Sequence, residues 1–389
     1  MRFQDYFRVN KCVVEDCGFN PYYLEVQTCI GNRMVIQGKK VISLGSNDYL
    51  GLANDPLLKE AAKRAIDEYG ISMCGTPIVV GYTTLNKLLE KTISDFLRAE
   101  ETLVYPSGYQ ANIGIFKLLS SLVDVILIDE YAHSCLYEGT RLSRAGVRQF
   151  PHNDCNKLRE LLRETSRSRM RFIVVDGLYS TEGSIAKLDE MVELAEEYDA
   201  FIIMDDAHGL GTVGKTGRGS AEVKKVLSKV HMTTGSLGKA LACSGGFIST
   251  SHEIADYFRY YSSHFVYSTA LPPAIAAACI EAFRIVERSD ARRSRLNRNK
   301  EVLHKAVSDL GFRTTRSDTP LFSIISREAT TTLTLARDLF GLGVYATPFI
   351  PPSVPMGRSC LRFIPSAELN EEDIEEVIEA FKSLRGDYS

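Results

Sequence analysis

Residues 201–209 read FIIMDDAHG: four apolar positions in succession, then two aspartates, an alanine, a histidine and a glycine. A strand with one wet face alternates apolar and polar residues, so an unbroken run needs cover on both faces. A parallel sheet flanked by helices provides that cover. In such sheets ligands collect beyond the carboxyl ends of the strands, which is where Asp205, Asp206 and His208 fall. One stretch thus indicates both a fold class and an address for a site.

Outward from it the same pattern recurs. Strand-length apolar runs occur in VISLGS (41–46), TLVYPS (102–107), VDVILID (123–129), RFIVVDG (171–177) and GGFIST (245–250). Amphipathic helical patterns lie between them at 57–69, 84–97, 157–165 and 188–198. This alternation specifies an α/β fold, a mostly parallel sheet with helices on both faces. With 389 residues the chain exceeds what one hydrophobic core usually serves. After Pro272-Pro273 follow a helix from Ala274 to about Arg288, an Arg-rich helix at 290–311, PLFSIIS, CLRFIPS and a last amphipathic helix at 370–384. We divide the chain into an N-terminal segment (1–40), a large domain (41–283) and a smaller C-terminal α/β domain (284–389). The arginines at 292–298 read as a solvated helix face.

Composition excludes several classes. The chain is 44% apolar and 24% charged with a net charge of −3, which fits neither a disordered chain nor a nucleic-acid groove. Nine cysteines with no CxxC spacing fit reduced thiols in a cytoplasmic protein better than disulfides or zinc ligands. The opening MRFQDYFRVNKCVVED lacks an apolar leader core, and no 18-residue apolar run suggests a transmembrane segment.

Five successive strand ends carry reactive or polar side chains. TLVY leads into Ser107-Gly108-Tyr109, VILID into His133, FIVVD into Tyr179-Ser180, FIIM into Asp205 and His208, and VHMTT into Ser236 and Lys239. Singly each has a bland reading as a cap, a turn or a structural histidine. Together on one edge they read as an active site. A helix starting after Ser107-Gly108 presents free N–H groups to a phosphate, and Ser236 adds a hydroxyl. Asp205 is placed to hold a pyridinium N–H, His208 to reach a ring oxygen, and His133 to stack on a ring. Lys239, among Gly, Ser and Ala in TTGSLGKALACSGG (233–246), would be desolvated and suited to Schiff-base chemistry. These features describe a pyridoxal 5′-phosphate site; the His and Asp spacing does not suit a metal.

The motifs resemble those of the α-oxoamine synthases, fold-type-I pyridoxal-phosphate enzymes. The matching stretches are LGSNDYLGLA (44–53), PSGYQANIGIF (106–116), IDEYAHSCLYEG (128–139), LYSTEGSIAKLDE (178–190), MDDAHGLGTVGKTGRGS (204–220), GSLGKALACSGGF (235–247), YSTALPPA (267–274) and IPPSVPMGRSCLRFIPSAEL (350–369). The resemblance implies that Lys239 links to the cofactor and serves as base, with His133 also touching the substrate carboxylate. It implies that Asp205 pairs with the ring nitrogen, that His208 and Ser180 face the ring oxygen, and that Gly108, Tyr109 and Ser236 hold the phosphate. Ser268 and Thr269 would reach the phosphate of a neighbouring subunit, hence a homodimer with shared sites. Asn47, Ser353 and Arg362 would handle substrate. The implied reaction condenses glycine, alanine or serine with an acyl thioester of CoA or an acyl carrier protein, usually with decarboxylation, to an α-amino ketone.

Departures from the family bear on the acyl group. Relatives often place a basic residue where Pro77 and Ile78 stand here, and many carry two arginines where this chain has Cys360 and Arg362. GFNPYYLEVQ (18–27) supplies tyrosines and no arginine ahead of the SNDYLGL motif. These features favour an uncharged acyl chain and a serine palmitoyltransferase-like enzyme. The alternatives are an 8-amino-7-oxononanoate synthase of biotin biosynthesis and, in another class, a catalytically silent partner subunit, which the presence of Lys239 disfavours.

Overall fold

The computed structural model describes residue 14, residues 17–386 and residue 388. Most of the opening stretch MRFQDYFRVNKCVVED, Cys12 included, lies outside the described residues. Thirteen strands occur among them: β1 (Arg33–Ile36), β2 (Lys39–Ser43), β3 (Glu101–Tyr105), β4 (Val125–Asp129), β5 (Gly146–Phe150), β6 (Arg171–Asp176), β7 (Phe201–Asp205), β8 (Met232–Ser236), β9 (Gly246–Thr250), β10 (Phe322–Arg327), β11 (Val344–Tyr345), β12 (Thr347–Phe349) and β13 (Ser359–Phe363).

The central sheet has seven strands in the order β3-β9-β8-β7-β6-β4-β5. From β8 to β5 all neighbours are parallel. FIVV and FIIM are buried along their length except for half-buried Phe201, as their unbroken apolar pattern requires. Helices of the expected positions, among them Thr84–Leu97 and Leu188–Tyr198, cover the faces. The register sets Asp176 beside Asp205 and Asp205 beside Thr234, so the carboxyl ends of three central strands form one ledge.

Two features differ from a purely parallel reading. The edge strand β5 (GVRQF) is exposed at four of five positions, so it carries no apolar run by which to recognise it. β9 runs antiparallel to both β8 and β3. Its reversal brings its first residue, Gly246, to the ledge, opposite Tyr105 and Ser236. A Cβ on Gly246 would collide with the Cα and N of Gly108 and stand 2.6 Å from the Ser107 carbonyl carbon, all backbone atoms that cannot swing away. Gly246→Ala should therefore cost on the order of 2–3 kcal/mol and loosen the start of the helix Gly108–Leu118. Thermal unfolding should show a fall in Tm together with weaker cofactor retention; an unchanged Tm would refute this close-contact argument.

The remaining strands form two three-stranded sheets, β10-β13-β12 and β1-β2-β11. β2 pairs in parallel with β11, so residues near 42 join the chain near 344. Phe322, Phe363 and Phe381 centre this smaller core, with the first two rings stacked at 5.2 Å. The Arg-rich helix Asp290–Asp309 is not simply a solvated face. Arg292 pairs with Asp55 at 2.8 Å and donates to the Leu50 carbonyl, while Arg293 is buried against the Val286 and Lys215 carbonyls. Arg295 and Arg298 remain exposed. The Asp55 carboxylate and carbonyls of neighbouring elements recruited two of the four arginines into the fold.

Candidate active site

A cavity of about 150 Å³ lies on the ledge, lined by Gly108, Tyr109, Asn112, His133, Cys135, Asp176, Leu178, Asp205, Ala207, His208, Ser236 and Lys239. Seven of the residues singled out in the sequence meet there: Gly108, Tyr109, His133, Asp205, His208, Ser236 and Lys239.

Each side chain owes its place to local structure. Ser107 caps the helix Gly108–Leu118 through its hydroxyl, which accepts from the Gln110 amide at 3.1 Å. The Gly108 and Tyr109 amides belong to the first turn, which has no helical acceptors. Gly108 packs against the end of β8: a Cβ there would stand 3.1 Å from the Gly235 carbonyl and 3.4 Å from Ser236. A side chain there would push the two apart by a few tenths of an ångström; with glycine the result is a cradle of amides beside the Ser236 hydroxyl.

One helical turn on, Asn112 spans the ledge. The Thr234 hydroxyl donates to its carbonyl oxygen at 2.7 Å, which turns its amino group toward Asp205 Oδ2 at 2.6 Å. The Ala207 amide donates to Asp205 Oδ1 at 3.0 Å. Asp205 is buried, oriented from both sides and aimed into the cavity. Its neighbour Asp206 turns the other way. The Asp206 carboxyl takes both the amide and the hydroxyl of Ser220 at 2.7 and 2.6 Å, and burial pushes it up to about 6. Of the paired aspartates, only Asp205 faces the pocket.

His133 caps the helix Ser134–Arg141: its Nδ1 accepts from the Cys135 amide at 3.2 Å, which leaves the ring proton on Nε2. Burial holds His133 below the ordinary histidine value, which favours the neutral ring. Its own amide donates to Asp176, whose carboxyl is raised by burial and then by Asp205. His208 is held well below the usual value by burial and then by Lys239, and its Nδ1 pairs with the hydroxyl of fully buried Tyr49 at 2.8 Å. The Lys239 side chain makes no hydrogen bond or ion pair with a described residue, and burial lowers its pKa against the pull of Asp205. A lysine that loses its proton readily is a competent nucleophile.

Other expected residues sit apart from this cavity. Ser180 contributes its carbonyl to Arg362 at 3.4 Å and does not line the pocket. Arg362 also reaches Asn47 at 3.4 Å, so these two side chains lie together. Ser353 lines a second, larger cavity. The Ser268 hydroxyl accepts from Gln110, and Thr269 is exposed; both lie beside the helix start but outside the lining. Sequence reading missed Asn112, Cys135, Asp176 and Tyr49. Asn112 had a signal: it is the one amide in the apolar helical run ANIGIF.

The pocket fits pyridoxal 5′-phosphate. Its amide-and-hydroxyl cradle suits a phosphate, Asp205 suits a protonated ring nitrogen, and Lys239 has no competing partner.

An α/β sheet with this ledge and an unpartnered lysine beside an anion cradle defines the class, and residues 39–381 match the family model "Aminotransferase class I and II". The chain belongs to that family and, within it, to the pyridoxal-phosphate-dependent α-oxoamine synthases, which are acyltransferases. It is 38% identical over 355 residues to 8-amino-7-oxononanoate synthase of Thermoanaerobacter pseudethanolicus, covering 91% of this chain and 90% of that protein. Among solved structures it resembles Sphingomonas wittichii serine palmitoyltransferase at 28% identity and TM-score 0.92, over 98% of each chain. It also resembles 8-amino-7-oxononanoate synthase from Francisella tularensis at 26% identity and TM-score 0.76, over 88% of this chain and 97% of the other. The higher sequence identity favours the 8-amino-7-oxononanoate synthases over the serine palmitoyltransferase-like preference. That preference rested on a few acyl-side positions, against which stands similarity along nine-tenths of the chain. No helix among the described residues is long and apolar enough to cross a membrane.

Proposed function

We propose that this chain makes 8-amino-7-oxononanoate in the cytoplasm. The product's name dictates the pieces. The bond made joins carbons 7 and 8, so one partner is a seven-carbon acyl chain ending in a carboxylate. The other is CH(NH₂)CH₃, which is alanine less its carboxyl group. The acyl C–S bond breaks, a C–C bond forms, carbon dioxide leaves, and the thiol carrier departs protonated. The observation that carries this reading is the 38% identity to the Thermoanaerobacter enzyme, together with the placement of Lys239 and Asp205 at one cavity.

Pyridoxal phosphate supplies an electron sink for the carbon that loses its proton or carboxyl group. The chain's residues do the rest. Lys239 would engage the cofactor's aldehyde group and, when free, would move the proton at the substrate's α-carbon. Asp205 would keep the ring nitrogen protonated, Ser236 and the Gly108 and Tyr109 amides would hold the phosphate, and His133 would offer its Nε2 proton to the substrate side. His208 would face the ring oxygen, while Ser180 would act only through its carbonyl, which accepts from Arg362.

Arg362 and Asn47 take the amino acid's carboxylate. Arg362 is buried, lies 4.6 Å over the Phe349 ring, and spends its donors on two long contacts while Nε has no partner. A planar guanidinium with donors to spare is a carboxylate fork. Arg362→Lys should raise KM for the amino acid about tenfold or more and leave the cofactor's visible absorbance unchanged. An unchanged KM would remove Arg362 from the substrate.

Ser268 and Thr269 would complete the phosphate site of a second copy in a homodimer. Exposed Val79, Val80 and Tyr267, at 72, 60 and 81% accessibility, support such a face. The deciding experiment offers the holoenzyme glycine, alanine and serine with acyl-CoA thioesters of different lengths and ends, and follows thiol release. We expect alanine with the seven-carbon diacid thioester to win. Preference for serine with a long neutral chain would restore the serine palmitoyltransferase-like reading.

A further inference from the structure

Beside the inner pocket lies a cavity of about 780 Å³ that the cofactor does not explain. It adjoins the ledge through Ala132, next to His133, and Thr181, next to Ser180. Four arginines line it, Arg313, Arg316, Arg327 and Arg358, against two glutamates, Glu130 and Glu182. Arg358 is paired with Glu182 at 2.6 Å and lies 4.0 Å over the Tyr131 ring. Arg313, Arg316 and Arg327 make no ion pair or side-chain hydrogen bond with any described residue.

The backbone gathers these three deliberately. Residues 313–315 run as a short ribbon along β10: the Ile325 amide donates to the Arg313 carbonyl and the Thr315 amide to the Ser323 carbonyl, both at 2.8 Å. The register of β10 against β13 shifts between Ile325 and Arg327, and Arg327 adopts φ of 66°. A left-handed non-glycine residue costs about 1 kcal/mol or more, and a bulge re-aims a side chain. Here both occur at the residue that adds a third guanidinium to the cavity wall. A solvated charge face needs neither.

We propose that Arg313, Arg316 and Arg327 form the binding site for the phosphates of the thioester carrier, with Arg358, stacked on Tyr131, as the wall between carrier and reaction pocket. Three unpaired guanidiniums suit a group with several negative charges; one carboxylate needs only one fork. The proposal rests on the acyl-thioester reading above, but not on which acyl chain is used.

The test uses the cofactor-loaded protein and free CoA, so no turnover is needed. Arg313→Gln, Arg316→Gln and Arg327→Gln each remove an exposed charge, and an unchanged Tm and visible spectrum will show that fold and cofactor site persist. Calorimetry should show CoA binding weakened about tenfold by each substitution, with affinity falling steeply as salt rises. In turnover, KM for the CoA thioester should rise while kcat holds. The N-acetylcysteamine thioester of the same acid lacks the phosphates, and its KM should not move. Wild-type CoA affinity in all three variants would overturn the proposal. An equal rise in KM for the truncated diacid thioester would overturn it too, and would assign the arginines to the acyl carboxylate. If CoA binds through these residues while no diacid thioester is turned over, the phosphate site stands and the product assignment falls.

Discussion

Lys239→Ala should abolish turnover, by at least about 10³-fold, and the protein should lose the visible absorbance of its cofactor. The expectation rests on a side chain without substitutes. The Lys239 side chain lines the cavity without a hydrogen bond or ion pair to any described residue, and burial lowers its pKa. Within the cavity lining it is the only lysine. Borohydride treatment of the wild-type protein should fix the cofactor to the peptide containing residue 239, as mass spectrometry of the digest would show. In the variant the label should be absent and the cofactor should dialyse away faster. The fold should survive, because an alanine here leaves the capping of neighbouring elements intact: the Gly238 amide still reaches Ser236, and the Ala242 amide still reaches the carbonyl of residue 239. Retained turnover, or a label on another lysine, would refute the assignment and with it the catalytic reading of the ledge. A silent partner subunit is excluded by the same experiment if the wild-type label forms.

Much of this was legible because two physical constraints write themselves into the chain. Strands buried on both faces must be apolar at every position, so β6 and β7 stood out as FIVV and FIIM, while β5, exposed at four of five positions, did not. A sheet that places its ligands at strand ends makes reactive residues follow apolar runs, so Asp205, His133 and Lys239 were visible. What escaped was support reached through space. Tyr49 meets His208 across 159 positions of chain, and Asn112 meets Asp205 across 93. No local pattern records such a pair. The identity of the acyl group escaped for a different reason. The motifs bind a cofactor common to all these enzymes, and the absence of a basic residue at 77, 78 and 360 reports only where a charge is not. The unpaired arginines at 313, 316 and 327 are scattered across a turn and a strand, and only the ribbon along β10 gathers them.

Asp205→Asn should lower kcat by about 10²–10³-fold while most of the cofactor stays bound. The two oxygens of Asp205 have different duties: Oδ2 accepts from Asn112 and Oδ1 from Ala207. An asparagine offers one acceptor oxygen, so it can satisfy only one of those two donors, and the other is stranded at a cost of about 1–3 kcal/mol. It also removes the negative charge that keeps a proton on the ring nitrogen, and an unprotonated ring draws electrons poorly. The phosphate cradle of Gly108, Tyr109 and Ser236 is untouched, which is why retention and rate should part company. Thr234→Val separates the two effects. It frees the Asn112 amide to rotate away from Asp205 without removing the carboxylate, so its fall in kcat should be tenfold or less. Spectra distinguish chemistry from mere loss of fold: Asp205→Asn should shift the cofactor's visible band and its pH dependence, whereas Thr234→Val should leave the band in place. Equal losses of rate and cofactor in Asp205→Asn, with an unmoved band, would mean that the carboxylate only props up the ledge.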